Sequence, residues 1–149
     1  MSPSLNFEVV PMSKVSKEDV VDLSKKTRPL VLVVDDERVI ADTLSIILSQ
    51  SGFATLTAYD GASGLELAEQ RKPDLLISDV VMPELSGIDL AIQMQASHPS
   101  CRVLLFSGQA ATANLLDIAR GNGHNFEVLS KPIHPTEFLQ KIKKVTAGA

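Results

Sequence analysis

The chain has 149 residues and a net charge of −4, which suits one domain of ordinary size and leaves no room for two full ones. Its basic residues are scattered, so direct nucleic-acid binding is not expected. One cysteine, Cys101, excludes an intrachain disulfide, the histidines lack partners at zinc spacing, and no apolar run suggests a membrane span or a signal peptide. A soluble, cytoplasmic protein with no membrane attachment is expected.

Residues 1–29 are rich in Ser, Lys and Pro and form an extension to the domain at 30–149. Within it, Ser16-Lys17-Glu18-Asp19 resembles a helix start and is followed by Val20, Val21 and Leu23. A short amphipathic helix and a disordered tail both fit this stretch. Leu30 to Val34 is an unbroken aliphatic run that stops at Asp35-Asp36, and it predicts the first strand. Apolar residues at Val39, Ile40, Thr43/Leu44 and Ile47/Leu48 then recur at helical spacing, and Gly52 supplies a stop. Phe53 to Ala58 reads as a second strand, and Leu65, Leu67 and Ala68 mark a helix ending before Pro73.

Leu75 to Ile77 is a strand buried on both faces that runs into Asp79, and Met82-Pro83 with Ser86-Gly87 forms the loop after it. Ile88 to Met94 suits a helix, and Val103 to Phe106 a strand that stops at Ser107-Gly108. Ala110 to Arg120 is rich in helix formers, Phe126 to Leu129 is a fifth strand ending at Ser130-Lys131-Pro132, and Pro135 opens a last helix whose inner face carries Phe138, Leu139, Ile142 and Val145. Strands alternating with helices predict an α/β fold, a doubly wound five-stranded parallel sheet with helices on both faces. The chain ends shortly after the last helix, and no effector domain is expected.

Parallel strands put their ends together, so Asp35, Asp36, Asp79, Ser107 and Lys131 gather at the carboxyl edge of the sheet, where open α/β sheets bind ligands. Taken alone, Asp79 could equally be a strand-terminating Asp that only bonds the loop backbone. Crowded carboxylates must take protons, pair with cations or bind metal, and one lysine cannot neutralise three of them. A hard divalent ion with oxygen ligands is the natural remedy, and Mg²⁺ fits best. A carboxylate beside Mg²⁺, faced by an ammonium and a hydroxyl, is suited to attack a phosphoryl group and become an aspartyl phosphate. Gly61-Ala62-Ser63-Gly64 lacks the lysine and spacing of a phosphate loop, so a nucleotide donor is not expected.

Four motifs, Val31-Leu32-Val33-Val34-Asp35-Asp36-Glu37, Ile77-Ser78-Asp79-Val80-Val81-Met82-Pro83 with Gly87, Leu105-Phe106-Ser107-Gly108 and Lys131-Pro132, stand in order on successive strand ends. Together they resemble the receiver domain of two-component response regulators, over about Leu30 to Val145. The resemblance implies a flavodoxin-like fold and phosphoryl transfer to Asp79 from the phosphohistidine of a histidine kinase or phosphotransfer protein. It implies Mg²⁺ on Asp36 directly, on Asp35 directly or through water, on Asp79 and on the carbonyl of Val81. Lys131 and Ser107 would contact the phosphoryl oxygens, and a downstream effector protein would read the switch, with a homodimer left open. A solvated loop lysine and a cap for the next helix are the bland alternatives for Lys131 and Ser107.

In this family a Tyr or Phe commonly stands three residues before the lysine; here that position is Val128, and the nearest aromatic is Phe126. Gln109, beside the expected site, is a candidate for tuning the lifetime of the phosphate. Two other functions stay open: an interaction module that keeps the fold without the chemistry, and a Mg²⁺-dependent phosphatase with Asp79 as transient nucleophile. Fluoroberyllate binding separates the first from a working receiver, and steady-state turnover of a phosphate ester would reveal the second.

Overall fold

The computed structural model describes residues 28–108 and 112–147. Strands and helices alternate as β1 (Leu30–Val34), α1 (Arg38–Gln50), β2 (Ala54–Ala58), α2 (Gly61–Arg71), β3 (Leu75–Asp79), α3 (Gly87–Ser97), β4 (Arg102–Ser107), α4 (Thr112–Gly121), β5 (Glu127–Ser130) and α5 (Pro135–Ala147). All strand pairs are parallel, in the order β2-β1-β3-β4-β5. Every residue of β1 and β3 is buried, as expected for central strands covered by helices on both faces.

Alternate residues of each strand feed two cores. Leu32, Val34, Leu76 and Leu105 pack with Leu90, Ala91 and Met94 of α3 and with Ala68 of α2. Val31, Val33, Ile77, Leu104 and Phe106 pack with Ala41, Leu44 and Leu48 of α1 and with Phe138 and Ile142 of α5. This is the period of two along each strand expressed as two layers.

Local chemistry sets the helix ends. Asp60 accepts the Ser63 N–H at 2.7 Å to cap α2, and Ser86 accepts the Asp89 N–H at 3.1 Å to cap α3. Gly52, at φ +96, turns the chain from α1 into β2, a conformation open mainly to glycine.

Three boundaries or faces depart from the sequence pattern. Val39 is 78% exposed and Thr43 is also on the surface, so the buried stripe of α1 is Ala41, Leu44, Ser45 and Leu48. Ser45 is tolerated there because its hydroxyl bonds the Ala41 carbonyl at 2.9 Å and Thr57 Oγ1 at 2.8 Å. Phe126 lies just before β5, which starts at Glu127, while Phe53 is buried just ahead of β2. The expected helix at Ser16 and the side chain of Gln109 lie outside the described residues.

Candidate functional site

In this strand order the chain reverses its winding between β1 and β3, and a crevice opens beyond their carboxyl ends. Asp35 follows β1 directly, its N–H bonded to the Ala58 carbonyl of β2 at 3.2 Å, and it has no solvent exposure. Asp79 closes β3 opposite Phe106 of β4 and is 7% exposed. Asp36 is exposed and lines the crevice, a cavity of about 650 Å³, together with Glu37, Asp79, Val81, Gly108 and Lys131.

Lys131 reaches into this crevice from the end of β5, where its N–H donates to the Ser107 carbonyl at 3.0 Å. Its Nζ lies 3.3 Å from Asp79 Oδ2, 3.8 Å from Asp35 Oδ2, and 5.7 Å from the centre of the buried Phe106 ring. The Lys131–Pro132 peptide bond is cis. Gly108 packs on the stem of this lysine: a Cβ there would lie 3.1 Å from Lys131 Cβ. Ser107 ends β4 beside Ser130 and is half-buried. It lines a neighbouring hollow with Val128 and Leu116, sharing Gly108 and Lys131 with the acidic crevice.

The floor is held by one unusually close approach. A Cβ on Gly87 would stand 1.9 Å from the Asp79 carbonyl oxygen, and the Gly87 N–H donates to the Val80 carbonyl at 2.9 Å. Only glycine lets α3 begin against the end of β3. The motif carries this glycine, but nothing in the sequence says what it touches.

Electrostatics make the crevice tense. Burial pushes the Asp35 carboxyl up to about 6; the Glu37 N–H and Lys131 act the other way, and Asp79 and Asp36 add to the rise. Burial also raises Asp79, against the pull of Lys131 and of a backbone bond from Val81. The bland role of Asp79, bonding its loop backbone, is therefore present alongside the crevice. The three carboxylates each offer an oxygen within 4.8 Å of the others. Asp35 Oδ1 accepts the Glu37 N–H at 2.9 Å, whereas its buried Oδ2 has no hydrogen-bond partner among the described residues, the Lys131 ammonium standing 3.8 Å away. A buried anionic oxygen without a donor is costly, and a hard cation taking oxygen ligands fits this donor set.

A parallel sheet in this order, with acids and a lysine at its switch point, defines a flavodoxin-like domain built around an acidic pocket. Residues 31–143 match the response regulator receiver domain family, and the chain belongs to that family. Regulator of RpoS from Escherichia coli (strain K12) is 36% identical over 121 residues, covering 78% of this chain and 35% of the relative. Transcriptional regulatory protein CreB of the same strain is 34% identical over 117 residues, covering 78% of this chain and 50% of CreB. Among solved structures, the signal receiver domain of an HD domain-containing protein from Pseudomonas fluorescens Pf-5 superposes with a TM-score of 0.75 at 29% identity, covering 81% of this chain and 96% of that one. The chain spans about half the length of the curated relatives it matches. Receiver domains are signalling domains of two-component systems, and these likenesses imply histidine kinases and effectors as partners in general. Among the described residues, no helix is long and apolar enough to cross a membrane.

Proposed function

We propose that Asp79 accepts a phosphoryl group from the phosphohistidine of a histidine kinase or phosphotransfer protein, and that this switches the domain's binding to a downstream effector. The observation that carries the reading is the Asp79 carboxylate at the switch point, 3.3 Å from Lys131 Nζ and bordered by Asp35 and Asp36. A carboxylate oxygen of Asp79 forms the new bond to phosphorus while the donor's nitrogen–phosphorus bond breaks, the imidazole keeping the electron pair.

Asp35, Asp36, Asp79 and the carbonyl of Val81 would hold Mg²⁺, which when bound offsets negative charge on the acids and on the phosphoryl oxygens. Lys131 steadies the acids before transfer and faces the phosphoryl oxygens after it. The Ser107 hydroxyl, one strand over, donates to one of those oxygens. The chemistry is self-phosphorylation with slow self-dephosphorylation, not turnover of a free substrate. Residues 30–149 form the receiver unit and 1–29 its extension, acting in the cytoplasm through protein partners, without direct contact to nucleic acid or membrane.

Incubation with a small-molecule phosphodonor and Mg²⁺ should label the protein at one site, detected by mass. Asp79→Asn should keep the circular dichroism spectrum and lose the label completely. Stoichiometric labelling of that variant would overturn the assignment, and a folded wild type that neither labels nor binds fluoroberyllate would favour an interaction module without the chemistry.

A further inference from the structure

The sequence places Arg38 where a helix disfavours it. Arg38 is the first residue of α1, no acid stands in that first turn, and the preceding Glu37 makes no side-chain cap. A cation at a helix amino terminus opposes the peptide dipoles. What Arg38 gains there is the Tyr59 ring: its guanidinium carbon lies 4.0 Å from the ring centre. The phenol in turn donates to Asp42 Oδ1 at 2.5 Å, one helical turn along from Arg38. One helix thus grips the ring at its face and at its hydroxyl, while the backbone of Tyr59 continues directly from β2.

This contact is the end rung of a polar seam. Asp42, Ser45 and Ser49 share one face of α1, and Thr55, Thr57 and Tyr59 alternate onto one side of β2 and its continuation. The other rungs are Ser45 Oγ to Thr57 Oγ1 at 2.8 Å and Ser49 Oγ to Thr55 Oγ1 at 3.1 Å. Val34 pairs with Ala58 in the sheet, so the residues that follow them, Asp35 and Tyr59, stand level at the edge of the acidic crevice. Ala58 holds the near side of the acid pair, its carbonyl accepting the Asp35 N–H at 3.2 Å. Tyr59 holds the far side through Arg38. Asp36 lies in the bend between these two ties.

We propose that Tyr59 is a positioning residue for Asp36. Clamped by Arg38 and Asp42, it fixes the first turn of α1 against the end of β2, and so holds the Asp36 carboxylate within 4.8 Å of the Asp35 and Asp79 oxygens, ready for a divalent cation. This role rests on the reading of Asp36 as a Mg²⁺ ligand. The same stacking places the Arg38 cation in a separate hollow that it shares with Asp60 and Glu66.

The test is a calorimetric titration of the full chain with Mg²⁺, each variant being checked for folding by urea denaturation. Tyr59→Ala should weaken Mg²⁺ binding about ten-fold, as loss of a residue supporting a metal ligand does. Arg38→Ala is the sharper variant, because it lies on the surface and because charge alone predicts the opposite sign. Removing a cation near three acids should tighten a divalent ion, whereas losing the clamp weakens it. Arg38→Lys keeps a cation for the ring and should restore most of the affinity. Ser49→Ala breaks the far rung of the seam and should leave Mg²⁺ affinity unchanged. Unaltered affinity in Tyr59→Ala, or tighter binding by Arg38→Ala, overturns the clamp. So does a loss in Ser49→Ala equal to that in Tyr59→Ala, which would make the whole seam merely structural. If Asp36→Ala binds Mg²⁺ as tightly as the unmodified chain, the ligand reading itself has failed and the clamp falls with it, a result distinct from failure of the Tyr59 and Arg38 variants alone.

Discussion

Strand β3 is bracketed by two aspartates in opposite conditions. At its amino end, Asp74 is a staple: its Oδ2 accepts the Leu30 N–H at 2.8 Å, its own N–H donates to the Leu30 carbonyl at 2.8 Å, and its carbonyl accepts the Arg102 N–H at 2.9 Å. One residue thus ties the starts of three adjacent strands. At the carboxyl end, Asp79 sits among two other carboxylates with, among the described residues, one lysine to balance them, and burial raises its pKa. The same side chain closes the structure at one edge and strains it at the other, and the strained edge is where a ligand has work to do.

The strongest way to sharpen this contrast is to relieve the strained edge. Asp35 has a folded pKa of about 6 against an ordinary value of 3.8, so between those pH values the folded state holds more protons than the unfolded one. Stability contributed by protonated Asp35 is present at low pH and lost as pH rises through about 6, an effect on the order of 2–3 kcal/mol. Urea unfolding in a chelator should therefore give a less stable protein at pH 7.5 than at pH 5. Carboxyls with lowered pKa, such as Asp60 and Glu127, stay ionised across that window and do not offset the trend. Added Mg²⁺ should close the gap, because an ion that binds only the folded state stabilises it. Asp35→Asn should flatten the pH dependence. A wild type whose stability is flat or rising from pH 5 to 7.5 would contradict the raised carboxyl.

The stapled edge should respond in the opposite sense. Asp74→Ala removes the acceptor for the Leu30 N–H and should cost about 1–3 kcal/mol in unfolding free energy at pH 7.5, with phosphodonor labelling of Asp79 retained. An unchanged midpoint would mean that the Asp74 backbone bonds alone hold the strand starts. Asp36→Ala is a smaller perturbation to the fold, since that acid is exposed. It should weaken Mg²⁺ binding while slightly stabilising the metal-free protein, and equal Mg²⁺ affinities by titration would remove Asp36 from the ligand set.

The strands and the sheet edge were legible because buried parallel strands must be apolar and must stop where polarity begins. Asp35, Asp79, Ser107 and Lys131 each follow or end such a run. The burial of Asp35 beside an exposed Asp36 was not legible, because adjacent acids look alike in the chain until Asp35 continues the pairing with β2 through the Ala58 carbonyl. Apolar spacing on α1 misled for a different reason. It registers side chains that avoid water, and Val39, Ile40 and Ile47 line an open groove whose walls are set by α5, far away in the chain. The tie of Asp74 to Leu30 is also long-range, spanning 44 residues, and a lone Asp after Pro73 carries no sign of it.

The smallest expected effect concerns how the strained edge speaks to the rest of the molecule. Val128 and Phe126 pack against the same core, as residues two apart on one face should. Val128 borders the hollow beside Ser107, but a β-branched side chain is short and stiff and cannot swing between outward and inward rotamers as a ring does. Phe126 stands before β5, and its ring is stacked on His124 with centroids 6.1 Å apart and planes 7° from parallel. Two residues along a strand span about 6–7 Å, so this ring starts far from the hollow and would have to leave its partner to enter it. A ligand shifts a conformational equilibrium only by its differential affinity for the two states, and without a ring to lock one of them the shift should be modest. Fluoroberyllate with Mg²⁺ should then perturb amide resonances from Ser107 to Ala113 strongly and the Phe126 ring protons little. A large movement of the Phe126 ring resonances on activation, with loss of contacts to His124, would show that this ring has taken over the switch despite its starting position.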